Sequence, residues 1–224
     1  TYQFAEQNQW FANHMSGSNG TRSGVFSLFF GLSCYYWESF EPAGIQPLFI
    51  QRLQALGYDI QTYPSATLAN PPFGRVIFGG VPDIHTETKG KTALERDTRL
   101  ADMFISDIEG RKDKKKPFFS FLFFDLPHSF ELPADKNKYF QPAWAFADYT
   151  KLSNDMDPTP FWNLYRNTCY QDDLLLGKVF EALKKQGLMD NTIVVLTGDH
   201  SQEFNENHRN YWGHNSNFSV HQIG

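Results

Sequence analysis

The chain has 224 residues, enough for one large domain with a substantial core, and it carries a formal net charge of −5. This negative charge gives no reason to expect nucleic acid as a partner. The longest apolar runs have the length of strands, so the sequence predicts no membrane-spanning helix within these residues.

Helix and strand patterns alternate along the chain. Apolar residues at helical spacing predict the main helices, over residues 21–32, 47–56, 92–108 and 161–185. Short apolar runs predict strands over residues 58–63, 118–124 and 192–197, with a weaker strand over 75–78. Because apolar strands joined by helical crossovers form parallel sheets covered on both faces, the pattern predicts an α/β fold.

Residues 135–160 follow neither pattern and are rich in aromatic residues, Asp and Pro. Loops of this length in a compact domain are usually functional or mobile. We expect this segment to pass over the ligand crevice and to carry substrate specificity.

Polar side chains follow two of the predicted strands. His128 comes shortly after the strand over 118–124, and Asp199 and His200 come directly after the strand over 192–197. Because ligands bind outside the carboxyl ends of parallel strands, we expect both strand exits to open into one crevice.

Asp199 and His200 form a candidate metal half-site. Further acidic and histidine residues follow within about fifteen positions, namely Glu203, Glu206, His208 and His214. Divalent cations bind carboxylate oxygen and imidazole nitrogen together, which favours metal binding. A turn followed by a helix cap is the structural alternative.

Thr21 lies in a stretch of small residues, 16–24, at the start of the first predicted helix. One interpretation is that Thr21 caps the helix. The other is that Thr21 is a nucleophile at a helix N-terminus that attracts anions, with a metal lowering the pKa of its hydroxyl. His128 has two interpretations as well, either a structural loop histidine or a side chain that holds a phosphate or sulfate oxygen.

Two further features have alternative interpretations. Cys34 and Cys169 lack a metal-binding or redox spacing and are interpreted as packing residues, while a disulfide between them stays open. The basic run over 112–116 is interpreted as a solvated loop, with contact to anionic lipid headgroups as the alternative.

Taken together, these motifs resemble the sulfatase branch of the alkaline phosphatase superfamily over nearly the whole chain. The resemblance is carried by residues 19–26, 117–128, 183–196, 198–205 and 211–218, which include Asn19-Gly20-Thr21-Arg22-Ser23-Gly24, Gly198-Asp199-His200-Ser201 and Tyr211-Trp212-Gly213-His214-Asn215-Ser216-Asn217-Phe218. Within this superfamily the chain is most similar to inner-membrane proteins that have a membrane region and a periplasmic sulfatase-like domain. Lipoteichoic acid synthases and lipid A phosphoethanolamine transferases are related groups.

The resemblance implies a three-layer α/β/α fold with a mostly parallel central sheet, truncated at both ends in this chain. Residues 1–224 would then form one partial sulfatase-like domain. The location implied is the periplasmic side of a bacterial inner membrane, with membrane attachment through a region absent from this chain.

The resemblance also implies roles for individual residues. Thr21 matches the nucleophile and contacts the metal, and Asp199 and His200 match metal ligands. His128 and Asn19 match residues that contact the substrate anion, and His214 matches a histidine that contacts the transferred phosphate or a second metal. The implied cofactor is a divalent ion, with Zn, Mn, Mg and Ca left open.

Two departures from the family pattern matter for chemistry. The Cys-x-Pro-x-Arg motif that is converted to formylglycine in sulfatases is absent from the sequence. Relatives also carry another acidic metal ligand at a position that would precede Thr1, and further strands beyond the position of Gly224.

Two functions follow from these observations. The first is a metal-dependent hydrolase or phosphotransferase acting on phosphate or sulfate esters, with envelope lipid headgroups as a substrate class. The second is a non-catalytic periplasmic regulator that binds lipid and controls lipopolysaccharide or envelope assembly.

Overall fold

The computed structural model describes residues 1–215 and divides them into two compact units. The first unit contains Thr1, Asp59–Leu68 and Asp83–Val194, and the second contains Tyr2–Tyr58, Ala69–Pro82 and the described residues from Val195 onward. The helices are α1 Tyr2–Gln7, α2 Thr21–Phe30, α3 Trp37–Ala43, α4 Leu48–Ala55, α5 Phe73–Val76, α6 Ala93–Gly110, α7 Leu126–Ser129 and α8 Thr159–Lys185. The strands are β1 Asp59–Pro64, β2 Phe118–Phe123, β3 Glu203–Phe204 and β4 Trp212–Gly213.

A parallel pair of strands forms the centre of the first unit. β1 and β2 pair in register from Asp59 opposite Phe118 to Pro64 opposite Phe123, and α6 lies between them in the chain. A parallel pair joined through a helix is the arrangement that the alternating pattern predicts, so the α/β class is confirmed.

Helices α6 and α8 pack together and supply most of the core of the first unit. The buried apolar side chains of this core are Tyr63, Leu100, Ala101, Phe104, Ile108, Leu175, Val179, Leu183 and Leu188. These residues recur at three- and four-residue spacing on α6 and at four-residue spacing on α8, which is why the sequence predicted the two helices well. The hydroxyl of Thr92 caps α6 by accepting from the N–H of Glu95 at 3.2 Å.

The second unit has an aromatic core built around α2. The Phe26 ring stacks on Phe30 with centroids 4.2 Å apart, and it also contacts Trp37 at 5.6 Å. Phe29 meets Phe78 edge to face at 5.3 Å. Such pairs add specific geometry to the burial of apolar area, and they fix how α2 lies within this unit.

The long segment over 135–160 contains only a short 3₁₀ turn, Tyr149–Lys151, before α8 begins. Its course is held by Asn167 of α8, whose side-chain oxygen accepts from the backbone N–H groups of Tyr139 and Phe140 at 3.1 and 2.9 Å. The predicted lack of regular structure is therefore confirmed, while its role in specificity stays a prediction.

Two predicted strands are wrong. The weaker one, over 75–78, overlaps α5, which begins directly after Pro72, a residue with a fixed φ and no N–H to contribute to a strand ladder. Residues 192–197 do not lie in a strand, although their side chains alternate between exposed and half-buried. A strand exists only when a neighbour pairs with it, and no described residue pairs with this segment.

Other expectations can be compared with the described residues. Both cysteines are free. Within residues 1–215 no helix combines the length and the apolar character needed to cross a membrane. The expectation of a single domain over 1–224 stays a prediction.

Candidate active site

Thr21 is the first residue of α2, and Gly20 before it is the cap residue, with extended backbone at φ −159° and ψ 151°. Glycine has no side chain that could cap the helix, so the interpretation of Thr21 as the N-cap is wrong. The Thr21 hydroxyl instead lies 3.0 Å from Nε2 of His200. Two residues that are 179 positions apart in the chain thus meet within the second unit.

Gly24 explains how the first turn of α2 reaches the Asp199–His200 segment. A Cβ atom added at Gly24 would lie 1.9 Å from the backbone oxygen of Asp199, much closer than any real contact. Only a residue without a side chain permits this approach. The small residue at position 24 thus lets the protein's own backbone come close.

The hydrogen bonds of His200 define which ring nitrogen carries the proton. Nδ1 lies 2.9 Å from the backbone oxygen of Ser201, and a carbonyl oxygen can only accept. The neutral ring therefore carries its proton on Nδ1, and the lone pair of Nε2 accepts a hydrogen bond from the Thr21 hydroxyl. The His200 side chain is only 10% exposed, which shields this contact from water.

Asp199 contributes a carboxylate next to the same nitrogen. Its Oδ2 lies 3.6 Å from Nε2 of His200, while its Oδ1 accepts from the backbone N–H of His200 at 3.1 Å. A hydroxyl, an imidazole nitrogen and a carboxylate oxygen are therefore gathered around one point, as the sequence predicted for Thr21, Asp199 and His200.

His214 reaches this point through the hairpin of β3 and β4. The antiparallel register pairs Glu203 with Gly213, so the next pair outward is Gln202 and His214. Nδ1 of His214 lies 3.2 Å from Oε1 of Gln202. The His214 ring faces the His200 ring, with centroids 4.4 Å apart.

The donor atoms near Thr21 are the carboxylate of Asp199 and the imidazole of His200. Asp199 and His200 supply the oxygen and nitrogen ligands that such ions take. Among residues 1–215, however, no group of three or more His, Cys, Asp or Glu side chains is placed to hold a metal ion. Asp199 and His200 thus fit a cation in the chemistry of their donor atoms, and their role as ligands stays a prediction.

The other predicted residues have different surroundings. The backbone oxygen of Asn19 accepts from the N–H of Asn215 at 2.8 Å, which joins the segment before α2 to the end of the hairpin. His128 lies on α7 in the first unit, with its side chain 59% exposed and its Nδ1 3.9 Å from Oδ1 of Asp125. Its approach to Thr21, and the shared crevice, stay predictions.

Sequence reasoning missed the partners that orient the two histidines, Ser201 and Gln202. Neither residue type indicates such a role, because the signal is a ring orientation that appears only after folding. The end of the predicted motif, Ser216 to Phe218, lies outside the described residues.

A model of the sulfatase family matches residues 2–223, so this chain belongs to the sulfatase family. It is 26% identical over 196 residues to the inner membrane protein YejM of Salmonella typhimurium, covering 87% of this chain and 28% of that protein. It is 23% identical over 214 residues to an uncharacterized protein of Haemophilus influenzae, covering 94% of this chain and 30% of that protein. The chain thus spans less than a third of the length of these curated relatives.

Among solved structures, the chain resembles the phosphonate monoester hydrolase of Agrobacterium radiobacter. The TM-score is 0.61 at 16% sequence identity, covering 86% of this chain and 55% of that chain. This likeness concerns the fold, and it agrees with the α/β architecture and the parallel strand pair of the first unit.

Proposed function

We propose that this chain carries the reaction centre of a sulfatase-family hydrolase or phosphotransferase that acts on phosphate or sulfate esters, with Thr21 as the nucleophile. The observation that carries the proposal is the 3.0 Å contact between the Thr21 hydroxyl and a His200 nitrogen whose lone pair is directed by Ser201. A nucleophile beside an oriented base is the arrangement that covalent catalysis requires.

In the proposed reaction the Thr21 oxygen attacks the phosphorus of the ester. The new bond between oxygen and phosphorus forms while the bond to the ester oxygen breaks, and the leaving oxygen takes a proton from solvent. His200 accepts the proton that the Thr21 hydroxyl loses. Water or an acceptor alcohol then attacks the phosphorus, the bond between phosphorus and the Thr21 oxygen breaks, and His200 returns its proton to that oxygen while the attacking group loses its own proton to solvent. Positioned bases of this kind contribute about 10²–10⁴-fold to a rate.

A divalent cation is part of the proposal, with Asp199 and His200 as two of its ligands. When bound, such an ion would neutralise charge on the phosphoryl oxygens and lower the pKa of a nearby hydroxyl. Nε2 of His200 has one lone pair, so holding a cation and accepting the Thr21 proton are alternative uses of it. The remaining ligands would come from substrate, water, Thr21 or other parts of the protein.

The substrate class we propose is a phosphate-bearing headgroup of an envelope lipid, with His214, His128 and Asn19 as contacts for its anion. The support for a membrane-associated substrate is the similarity to YejM, an inner membrane protein. A periplasmic location is proposed on the same ground.

The test is turnover of aryl phosphate, phosphodiester and sulfate substrates by a protein that includes the region upstream of Thr1. Thr21→Ala should lower kcat by about three orders of magnitude or more, because it removes the attacking oxygen. Thr21→Ser should retain most of the rate. A quenched reaction should yield a peptide phosphorylated on Thr21 by mass spectrometry.

Thr86→Ala is the matched control, since Thr86 is an exposed threonine of the first unit. Unchanged turnover in Thr21→Ala would remove Thr21 as the nucleophile. Comparing chelated protein with protein supplied with Mn²⁺ or Zn²⁺ separates the two uses of the His200 lone pair, because only the metal-bound route is abolished by chelation.

The second candidate function is a non-catalytic regulator that binds lipid. Large apolar side chains exposed in the second unit favour it, among them Trp10, Phe11 and Tyr35. Flotation with vesicles that contain lipid A should then show binding that survives Asp199→Ala and His200→Ala together. Loss of binding on addition of a chelator would count against this function.

A further inference from the structure

Two carboxyl side chains are buried in the first unit, on the two helices that form its core. Asp97 of α6 is completely buried, and Asp172 of α8 is 7% exposed. Burying a charge is costly unless it is paired or receives hydrogen bonds. The two carboxyl groups differ in this respect.

Asp97 receives several hydrogen bonds. The backbone N–H of Leu126 donates to Oδ2 at 2.7 Å, and the N–H of Asp125 lies 3.2 Å from each oxygen. Through these bonds Asp97 holds the turn that follows β2 and begins α7. His128 belongs to that turn, and its N–H donates to the backbone oxygen of Asp125 at 3.1 Å.

Arg96 also contacts this turn, and its positive charge is paired with the Asp125 carboxylate. Arg96 donates to Oδ2 of Asp125 at 2.9 Å and, through Nε, to the backbone oxygen of Ser65 at 3.1 Å. Arg96 thereby ties the turn to the end of β1, and no described cation forms an ion pair with Asp97 or Asp172.

Asp172 has no such donors. Its Oδ1 is buried and has no hydrogen-bond partner among the described residues. The titratable groups that act on it are Asp97 of α6, Asp125 of the turn and, on its own helix, Cys169. Its neighbour in sequence, Asp173, binds the amino group of Thr1 instead. The side chains of Asp172 and Asp97 interact directly, so a proton on Asp172 would remove its charge and allow it to donate a hydrogen bond to Asp97.

We propose that Asp172 keeps a proton at neutral pH and donates it to Asp97, and that this buried carboxyl pair fixes the turn that carries His128. Asp172 is thus a positioning residue that acts through Asp97. The proposal goes beyond the function proposed above, because it concerns the turn itself and holds whether or not His128 binds a substrate anion.

The electrostatics of the site support this assignment of the proton. Burial, and then the Asp97 and Asp125 carboxylates, raise the pKa of Asp172 to about 9. Burial also raises the pKa of Asp97, but the Ser65 side chain and then the N–H groups of Leu126 and Asp125 lower it. Asp97 is therefore the ionised partner and Asp172 the protonated one.

The test follows the turn directly, without an activity assay. Hydrogen-exchange protection of the 125–129 peptide, corrected for intrinsic exchange, is measured from pH 6 to pH 10 for the wild type, Asp172→Asn and Asp97→Asn. Asn at position 172 keeps an N–H donor without the ionisable proton. Asp97→Asn removes the charged acceptor.

We expect wild-type protection to fall by up to tenfold per pH unit as the pH rises towards the titration of Asp172 and to level off above it, because opening the turn separates the pair and releases the proton that the closed pair keeps. Protection in Asp172→Asn should stay flat over the same range. The protection of the 125–129 peptide in Asp97→Asn should be about tenfold lower than in the wild type at every pH. The ring resonances of His128 should follow the same pattern, which a merely structural role of Asp172 would not produce.

The same pH dependence in Asp172→Asn as in the wild type would overturn the proposal. If that variant fails to fold, ¹³C carboxyl resonances of the wild type decide alone, since an Asp172 carboxyl that titrates near pH 4 would overturn it too. Inactivity of the Thr21 centre would leave both measurements unaffected, so the two proposals fail separately.

Discussion

In the second unit, the residue at position 24 determines how closely α2, which begins with Thr21, packs against the Asp199–His200 segment. Thr21, Asp199 and His200 could be chosen from the sequence, because a hydroxyl at a predicted helix start and an Asp-His pair after an apolar run have recognisable chemistry. The need for Gly24 could not be seen there. Its reason is a backbone atom of Asp199, and such a neighbour is invisible in a linear sequence.

We predict that Gly24→Ala displaces α2 from Asp199 and lengthens the contact between Thr21 and His200. The added methyl would meet a backbone oxygen at 1.9 Å, which cannot rotate away as a side chain can. Activity should fall by at least tenfold with the Thr21 side chain intact. The measurement is kcat for the ester that the wild type turns over best.

Gly177→Ala, a substitution inside α8, is the matched control, since a methyl added there would contact no neighbouring group within 4 Å. This control should stabilise the protein by about 0.5–1 kcal/mol, because alanine favours the helix over glycine. Equal activity in the two variants would show that the approach at Gly24 does not position Thr21.

At the scale of elements, the long amphipathic helices were predictable and the pairing of short segments was not. Apolar spacing predicted the bounds of α6 and α8 to within a few residues of the observed ones. The segment over 192–197 has the alternation of a strand, with Ile193 93% and Val195 74% exposed. Whether it pairs depends on a neighbour, which its own sequence does not encode.

The packing of α6 against α8 leads to a prediction about stability and pH. Asp172 has an ordinary pKa of 3.8 and a value of about 9 in the folded protein. Its protonation therefore contributes full stability below about pH 3.8, and this contribution is lost as the pH rises towards 9. The free energy of unfolding of Asp172→Asn should therefore rise relative to that of the wild type, by at most about 1.4 kcal/mol per pH unit between these two pH values.

Urea unfolding at pH 5, 6.5 and 8 measures this difference in the free energy of unfolding. Asp190→Asn, an exposed site, is the control and should show no trend. A gap between wild type and Asp172→Asn that is constant with pH would contradict the prediction.

At the scale of the whole molecule, the family and the α/β class could be predicted, because several motifs spread over the chain agree with each other. The match to residues 2–223 bears this out. The shared crevice could not be derived to the same degree. It was predicted to hold both His128 and Thr21, which belong to different units, and it stays a prediction because local sequence patterns do not determine how units are arranged.

The proposed cation site, which only the folded molecule would form, leads to the last prediction. An ion that binds the native state and not the unfolded chain stabilises it, by about 2.7 kcal/mol at a concentration 100 times its Kd. Mn²⁺ or Zn²⁺ should therefore raise the Tm of the wild type. Scanning fluorimetry with increasing metal measures the shift.

The shift in Tm should disappear when Asp199 and His200 are both replaced by Ala, and it should persist in Asp190→Ala. An equal shift in the double variant would place the cation elsewhere.

The Gly24 contact also affects how mutational data on this protein should be interpreted. In a library selected for turnover, position 24 would rank with Thr21 among the most sensitive sites, although glycine has no group that could touch a substrate. Sensitivity at position 24 would measure steric exclusion by the Asp199 carbonyl. High sensitivity to substitution therefore identifies catalytic residues only after sterically restricted sites such as position 24 have been excluded.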